Sequence, residues 1–314
     1  MNSYKLANLK ISQCNSSDKT FNIFCKIDTS KIQPENSLLF VKPIIVTESN
    51  NGYKVVSGFQ LLELFQKQKI LEIPAYILPQ NMPLEKIISI ILYYVKQEKN
   101  LNILEISQII FLLVEHGFDN KAIAQKFCNP LGIPPKTNII QQYYSIQKIV
   151  PIVSNFLITK NAPLKMWKIY SELTKSKQII LAKILSKTNP SLSIFHEIST
   201  NLSEISRRDE IDFEQIIENL HLLEIFEKAP NQNTLSGIRQ KIYNARYPTI
   251  SKYRLQIAEK INKLDAPNNV KIIPDKTLET KNFKINCEIK SAKDLVKCVN
   301  FFKNNEEELK KFFA

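Results

Sequence analysis

The chain has 314 residues, and its hydrophobic fraction of 44% is enough for two or three domains with apolar cores. Lys and Arg number 43 against 30 Asp and Glu, so the formal net charge is +13, which favours a polyanionic partner over the alternative of a merely Lys-rich composition. No apolar run is long enough to span a membrane, and the N-terminus lacks a hydrophobic signal core. We therefore expect a cytoplasmic protein with no membrane partner.

The five cysteines, at positions 14, 25, 128, 287 and 298, are too scattered for a disulfide framework or a zinc site. No pair has C-x-x-C spacing, and the three histidines also lie far apart. The sequence therefore predicts reduced thiols, a reducing compartment and no metal site.

The chain begins with a polar stretch that we expect to be partly loose as far as Thr20. Residues 21–27 alternate imperfectly and predict a first strand. The β-branched run 43–47 predicts a buried strand. Asn51-Gly52 then predicts a type I′ hairpin turn.

Residues 53–57 predict the return strand, and Gly58 breaks it because glycine can take a positive φ. From Phe59 the apolar period changes from 2 to 3.6, which predicts a helix, and 73–77 predicts another strand. Leu61, Leu64 and Phe65 share one apolar face of the predicted helix, and Leu62 lies beside that face.

This order of strand, hairpin, glycine, helix and strand resembles the N-terminal domain of ParB-type DNA partition proteins, whose fold is shared with sulfiredoxin. The sequence pattern of that family is roughly P-I-x-V, a turn, Y-x-V-I-x-G, two arginines, a helix and I-P. The matching positions here are Pro43, Ile44, Val46, Gly52, Tyr53, Val55, Ser57, Gly58, Ile73 and Pro74. The resemblance continues weakly to about residue 170.

The resemblance implies a nucleotide pocket that has lost much of its chemistry. The two arginines that hold the triphosphate of CTP in the family correspond to Gln60 and Leu61. A second motif keeps Gln97, Leu101 and Glu105 but holds Tyr94, Val95 and Glu98 at its acidic and arginine positions. The predicted pocket residues are Lys42, Ser57, Gly58, Gln60, Gln97 and Glu105. We expect a degenerate scaffold with no cofactor, while CTP and Mg²⁺ binding stays open as an alternative.

Sulfiredoxin carries a catalytic cysteine directly after the corresponding glycine. This chain has Phe59-Gln60 there, so repair of a sulfinic acid has no nucleophile. The sequence predicts no catalytic residue.

Two apolar helices are predicted next, the first beginning at Pro83 and the second covering about 103–116. The apolar stripe of the first comprises Ile87, Ile90, Ile91, Tyr94 and Val95. The core face of the second comprises Ile106, Ile109, Ile110 and Leu113, and Gly117 ends it.

The candidate DNA-binding segment follows as a short helix over 121–127, a break over 128–135 and a longer helix over 136–150. This is the order of a helix-turn-helix, although the break is longer than the usual turn. The longer helix should turn Ile139, Tyr143, Ile146 and Val150 inward. The predicted DNA-binding residues are Lys121, Lys126, Lys136, Thr137, Asn138, Gln141, Gln142, Ser145 and Lys148. Gln and Asn suit adenine edges and Lys suits phosphates, while a solvated bundle helix remains the alternative.

The remaining chain predicts further helices and a small α+β end. The basic stretch 235–263 contains three tyrosines. It could bind a nucleic-acid phosphate backbone, or it could be a solvated helix pair. Strands are predicted at 270–273 and 283–289, and helices at 291–303 and 305–313. The resemblance implies that this end dimerises.

The predicted fold class is α+β and predominantly helical. A small ParB/sulfiredoxin-like α/β domain covers 1–82, a helical domain with the helix-turn-helix covers 83–200, and a helical to α+β C-terminal domain covers 201–314. The resemblance implies a homodimer that binds double-stranded DNA, acts in partition or in replication or transcription control, and has a Walker-type partition ATPase as partner. A CTP-dependent clamp, a ParB-type nuclease and a non-DNA interaction scaffold remain alternatives.

Overall fold

The computed structural model describes residues 4–23, 43–96, 100–227, 233–274 and 283–310. The chain divides into two compact units, 1–186 and 187–314. The predicted three-domain boundaries stay a prediction. Within the described part of the chain, no helix is both long enough and apolar enough to cross a membrane.

The first unit begins with a five-stranded mixed sheet. Its strands are β1 Lys5–Lys10, β2 Cys14–Asn15, β3 Ile44–Ser49, β4 Gly52–Ser57 and β5 Glu72–Leu78, in the spatial order β1-β5-β3-β4-β2. Strands β3 and β4 form the predicted antiparallel hairpin, and β3 runs parallel to β5. The helix α1 Phe59–Lys67 supplies the crossover that such a parallel pair needs.

The N-terminal stretch that we expected to be loose is an edge strand. Lys5–Lys10 pairs antiparallel with β5 along its whole length, and Leu9 is buried. The prediction was wrong because the pairing partner lies more than sixty residues further on and leaves no local signal. The predicted strand over 21–27 is also not supported where it can be seen, since 21–23 are not strand and 24–27 lie outside the described residues.

Two glycines shape the hairpin and its exit. The hairpin loop is Asn50-Asn51, with Ser49 paired to Gly52, and neither asparagine has a positive φ, so the predicted type I′ turn at Asn51-Gly52 is wrong. Gly52 instead has φ 118°, and a Cβ there would lie 2.5 Å from the Gln13 carbonyl oxygen. Its lack of a side chain serves the close approach of the β2 region.

Gly58 behaves as predicted and begins α1 in the left-handed conformation, with φ 95°. A Cβ at Gly58 would lie 2.5 Å from Ile44 Cγ2. The buried face of α1 is Phe59, Leu62 and Phe65 rather than Leu61, Leu64 and Phe65, because the apolar residues form two adjacent stripes and contact with the sheet selects one of them. Leu61 and Leu64 are only half-buried.

Helices make up the rest of the first unit. They are α2 Leu84–Lys96, α3 Ile103–Glu115, α4 Asn120–Lys126, α5 Cys128–Leu131, α6 Thr137–Ser145, α7 Pro151–Thr159, α8 Leu164–Ser171 and α9 Lys175–Lys187. The core face predicted for α3 is confirmed. The stripe of α2 shifts, since Ile88 and Leu92 are buried and Ile90 and Tyr94 are half-buried.

The second unit is helical and ends in a small α+β element. Its helices and strands are α10 Leu192–Asp209, α11 Phe213–Asn219, α12 Leu223–Glu227, α13 Thr234–Arg246, α14 Pro248–Lys263, β6 Val270–Pro274, β7 Phe283–Cys287, α15 Ala292–Asn304 and α16 Glu306–Lys310. The predicted strands are confirmed and pair antiparallel. Leu264, Val270, Cys298 and Phe301 form a core of their own.

Candidate nucleic-acid interface

Helix α4 is a short, well-capped helix that precedes the candidate reading helix. The Asp119 carboxylate accepts a hydrogen bond from the Ala122 backbone N–H at 2.7 Å, which satisfies a donor of the first turn. Ile123 and Phe127 are buried, and Phe118 meets Phe127 edge to face with ring centroids 5.6 Å apart. Asp119 therefore begins α4, and Ile123 and Phe127 form its inward face.

The predicted break contains a further turn of helix, α5. Gly132 follows it with φ 71°, and Ile133 N–H bonds back to the Cys128 carbonyl at 3.0 Å. The short helix and the candidate reading helix are therefore separated by more than the usual turn of a helix-turn-helix.

Helix α6 is shorter than predicted and turns a different residue inward. It covers Thr137–Ser145 and continues as a 3-10 turn over 146–148. Ile140, at 0% exposure, takes the central buried position instead of Ile139. Of the other predicted inward residues, Tyr143 and Ile146 are buried and Val150 is half-buried.

The outward face of α6 is polar and begins at its N-terminus. Exposed side chains along it are Lys136, Thr137, Asn138 and Gln141, and Gln142 is half-buried. A reading helix contacts base edges with its N-terminal residues. Asn138 lies in the first turn of α6, and Gln141 lies one turn further along the same face.

Buried polar groups fix the back of α6 to α3. The Ser107 hydroxyl, 0% exposed, donates to the Tyr143 carbonyl at 2.6 Å. It also accepts a hydrogen bond from Gln147 Nε2 at 2.8 Å. Phe111 of α3 stacks on Tyr144, with ring centroids 5.7 Å apart and 21° between planes. A buried hydroxyl left without these partners would be costly, so this contact specifies one position for the end of α6.

The predicted DNA-binding residue Ser145 is used inside the fold. Its hydroxyl lies 2.8 Å from the Gln142 carbonyl and 2.9 Å from the Ser171 hydroxyl of α8. The buried Gln178 supports the same region, since its Oε1 accepts the Val150 N–H at 2.8 Å and its Nε2 donates to the Leu173 carbonyl at 2.9 Å. Sequence reasoning missed these supporting residues, although a Ser or Gln within an apolar helix face is a usable signal.

The lysines of this segment differ in how available they are. Lys121, Lys136 and Lys148 are exposed. Lys126 forms an ion pair with Glu85, Nζ to Oε2 at 2.9 Å, with both side chains about half exposed. Residues 118–150 carry four lysines against a single aspartate, so the segment is positively charged.

Only some of the residues predicted to form a nucleotide pocket lie next to one another. Gly58 and Gln60 lie at the start of α1, and Ser57 ends β4. Glu105 is fully buried in a capping box with Asn102, where each side chain bonds the other's backbone N–H at 3.0 Å. Its carboxylate is therefore engaged in starting α3. Lys42 and Gln97 lie outside the described residues.

A cavity of about 340 Å³ opens between the sheet and α2, which the sequence did not indicate. It is lined by the four tyrosines Tyr4, Tyr76, Tyr93 and Tyr94, and also by Lys86, Ser89 and aliphatic side chains. Burial, and next the neighbouring phenols, raises the pKa of Tyr94. In the described part of the chain, no three His, Cys, Asp or Glu side chains are grouped as a metal site requires.

The basic stretch 235–263 divides into a structural and an exposed part. Arg239 pairs with Glu197 at 2.7 Å, and Arg246 pairs with Glu204, so both arginines hold α13 to α10. Lys241 Nζ donates to the Leu220 carbonyl at 2.8 Å. The exposed cations of α14 are Lys252, Arg254, Lys260 and Lys263, and Arg254 also lies over the Tyr243 ring, 5.3 Å from its centroid.

No family model and no curated protein matches this chain. Among solved structures, one similar chain is the C-terminally truncated chromosome-partitioning protein ParB from Caulobacter crescentus complexed to the centromeric parS site, with a TM-score of 0.27, 14% identity, and coverage of 62% of this chain and 98% of that chain. Another is the same truncated protein complexed with CTP-γ-S, with a TM-score of 0.22, 14% identity, and coverage of 58% and 99%. The likeness is distant, and at these TM-scores it carries no conclusion about this chain.

Proposed function

We propose that the protein binds double-stranded DNA, reads it with the outward face of α6, and belongs to the ParB-like class that acts in partition or in replication or transcription control. One observation carries the proposal. Helix α6 presents Asn138 and Gln141 to solvent between Lys136 and Lys148, while buried hydrogen bonds hold its back against α3. The resemblance of residues 43–78 to the ParB N-terminal domain supports the same class.

The chemistry of this face suits a duplex. The amide of Asn or Gln pairs with both the N6 amino group and N7 of adenine in the major groove. Lys136 and Lys148 suit phosphates, which position a helix without reading sequence. In this proposal Ser145 supports the helix instead of contacting DNA, because its hydroxyl is already bonded to Ser171.

The test is a salt titration of affinity on a selected DNA site and on a scrambled duplex. Gln141→Ala and Asn138→Ala should each cost about 1–3 kcal/mol on the selected site and much less on scrambled DNA. Lys136→Gln and Lys148→Gln should weaken binding to both duplexes alike. Each lost contact should also reduce the slope of log affinity against log salt concentration by about 0.9.

The matched controls are Gln66→Ala on α1 and Lys175→Gln on α9, both exposed residues outside the proposed interface. They should leave site preference unchanged. If the α6 variants behave like the controls while the wild type binds, α6 is not the reader and the exposed cations of α14 become the next candidate. If the wild type binds neither duplex at about 50 mM salt, the interaction-scaffold alternative replaces DNA binding.

A CTP-dependent clamp is the competing enzymatic function. Glu105 is committed to its capping box, and Gln60 and Leu61 bring no charge to the start of α1. Calorimetry with CTP and Mg²⁺, in the presence of DNA, separates the two functions. Saturable CTP binding at micromolar concentration favours the clamp.

We also propose a homodimer formed through α15. The inward face of this helix packs against the β6–β7 hairpin through Cys298 and Phe301. Its other side exposes apolar residues at helical spacing, which are Leu295, Val296, Val299 and Phe302. A second copy of α15 would bury such a self-complementary stripe. We assign no surface to the Walker-type ATPase that the resemblance implies.

A further inference from the structure

Cys287 and Cys298 approach one another in the C-terminal α+β element. In the antiparallel β6–β7 pair, Cys287 is the register partner of Val270. Residues opposite each other in an antiparallel pair lie on the same face of the sheet. Val270 is buried in the cluster that also contains Cys298 of α15. The side chain of Cys287 therefore lies on the face of the hairpin that packs against α15.

Asn269 links the surroundings of the two sulphurs. Its side-chain Nδ2 lies 3.2 Å from Cys298 Sγ and 3.2 Å from the carbonyl oxygen of Glu288, the residue after Cys287. Asn269 therefore holds Cys298, which is only 3% exposed, beside the end of β7.

Cys287 is the accessible cysteine of the pair. The residue is exposed, so a small reagent reaches it. Burial of its sulphur, and next a hydrogen bond and charge interaction with Cys298, raises the pKa of the Cys287 thiol. At neutral pH it is mostly protonated, and the thiolate fraction increases as the pH rises.

We propose that Cys287 and Cys298 are a site of reversible oxidation, at which hydrogen peroxide converts the two thiols into an intramolecular disulfide joining β7 to α15. The thiolate of Cys287 attacks one peroxide oxygen, which forms a sulfenic acid and releases water after protonation. The sulphur of Cys298 then attacks the Cys287 sulphur and displaces hydroxide, which leaves as water. Two electrons pass from the thiols to the peroxide, and a dithiol reductant reverses the reaction.

The other described cysteines provide internal controls. Cys14 and Cys128 are both buried, and burial raises the pKa of each thiol. They should stay reduced under conditions that oxidise the proposed pair. Cys25 lies outside the described residues, so it is replaced by serine in every protein tested. The site does not depend on the DNA-binding proposal.

The experiment treats the full-length Cys25→Ser protein with stoichiometric hydrogen peroxide, blocks remaining thiols by alkylation, and maps peptides without reduction. We expect one peptide pair joined through Cys287 and Cys298, simultaneous loss of alkylation at both, and recovery of both with dithiothreitol. The additional change Cys287→Ser, at an exposed position, should leave Cys298 alkylatable and uncrosslinked. The rate of bridge formation should increase with pH because peroxide reacts with the thiolate of Cys287.

Three results would each overturn the proposal. One is accumulation of sulfinic or sulfonic acid at Cys287 while Cys298 stays alkylatable. Another is a Cys287–Cys287 bridge between two copies, seen as a reducible dimer in denaturing gels. The third is oxidation of Cys14 or Cys128 at the same rate as the pair, which would mean that the reagent acts on a partly unfolded chain.

Discussion

At the residue scale, glycine is required at position 58 for two separate reasons. Its φ of 95° lies in the region that L-residues avoid, and a Cβ would overlap Ile44 Cγ2 at 2.5 Å. Ile44 is 1% exposed in β3, so it has little room to move. The glycine thus connects the hairpin to α1 where no other residue fits.

We expect Gly58→Ala to lower the free energy of unfolding by about 1–2 kcal/mol for the backbone and by about 1–3 kcal/mol more for the overlap with Ile44. Gly117→Ala is the matched control, because Gly117 also has a positive φ, 87°, but a Cβ there meets nothing within 4 Å. Urea unfolding followed by fluorescence is the measurement. The single tryptophan, Trp167, is buried in the first unit and therefore reports on it. Equal losses in the two variants would show that the Ile44 contact is unimportant.

At the element scale, the position of α6 depends on hydroxyl groups outside its reading face. Ser107 holds the carbonyl of Tyr143 at the last turn of α6, and Gln147 holds Ser107 in turn. Helix α6 has only nine residues, which is too short for stability in isolation. Its order therefore comes from packing and from these hydrogen bonds.

We expect Ser107→Ala to lower the free energy of unfolding by about 1–3 kcal/mol, because it removes two hydrogen bonds, one to the Tyr143 carbonyl and one from the half-buried Gln147. Amide hydrogen exchange in α6 should accelerate, and preference for the selected DNA site should decrease. Ser89→Ala is the control, since Ser89 is exposed and bonds only the Glu85 carbonyl of its own helix. Unchanged exchange in α6 would mean that apolar packing alone positions the helix.

At the scale of the whole molecule, the C-terminal element has an unusual distribution of apolar side chains. Phe301 and Cys298 complete its small core, while Leu295 and Val299 remain 49% and 42% exposed on the same helix. The core also includes Leu264, which directly follows α14. An exposed stripe of this kind on a small element indicates a surface that a partner covers.

We expect the wild-type chain to sediment as a dimer at micromolar concentration and Val299→Lys to sediment as a monomer, because the substitution places an unpaired charge in an apolar contact. Lys297→Gln, at an exposed position of α15 on the other side of the helix from Val299, should stay dimeric. Circular dichroism should be the same for all three proteins. A monomeric wild type, or a dimeric Val299→Lys, would contradict the α15 dimer.

Local patterns by themselves determined much of the secondary structure. The core face of α3 and the strands β6 and β7 could be predicted because their apolar residues recur with periods of 3.6 and 2. Gly58 was also recognisable, because a glycine between a strand pattern and a helix pattern marks a positive φ. Asp119 was recognisable as a cap of α4, because the capping hydrogen bond joins residues three positions apart.

Only the tertiary structure decided which residues meet across long stretches of chain. Local spacing does not predict the pairing of Lys5–Lys10 with β5 or the hydrogen bond between the Ser145 and Ser171 hydroxyls. It also does not predict that Cys287 approaches Cys298. The inward position of Ile140 depends likewise on how α6 meets α3 and α8, since Ile139 and Ile140 are equally apolar. Periodicity specifies that a helix has a buried face, but the neighbouring helices select which residue occupies its centre.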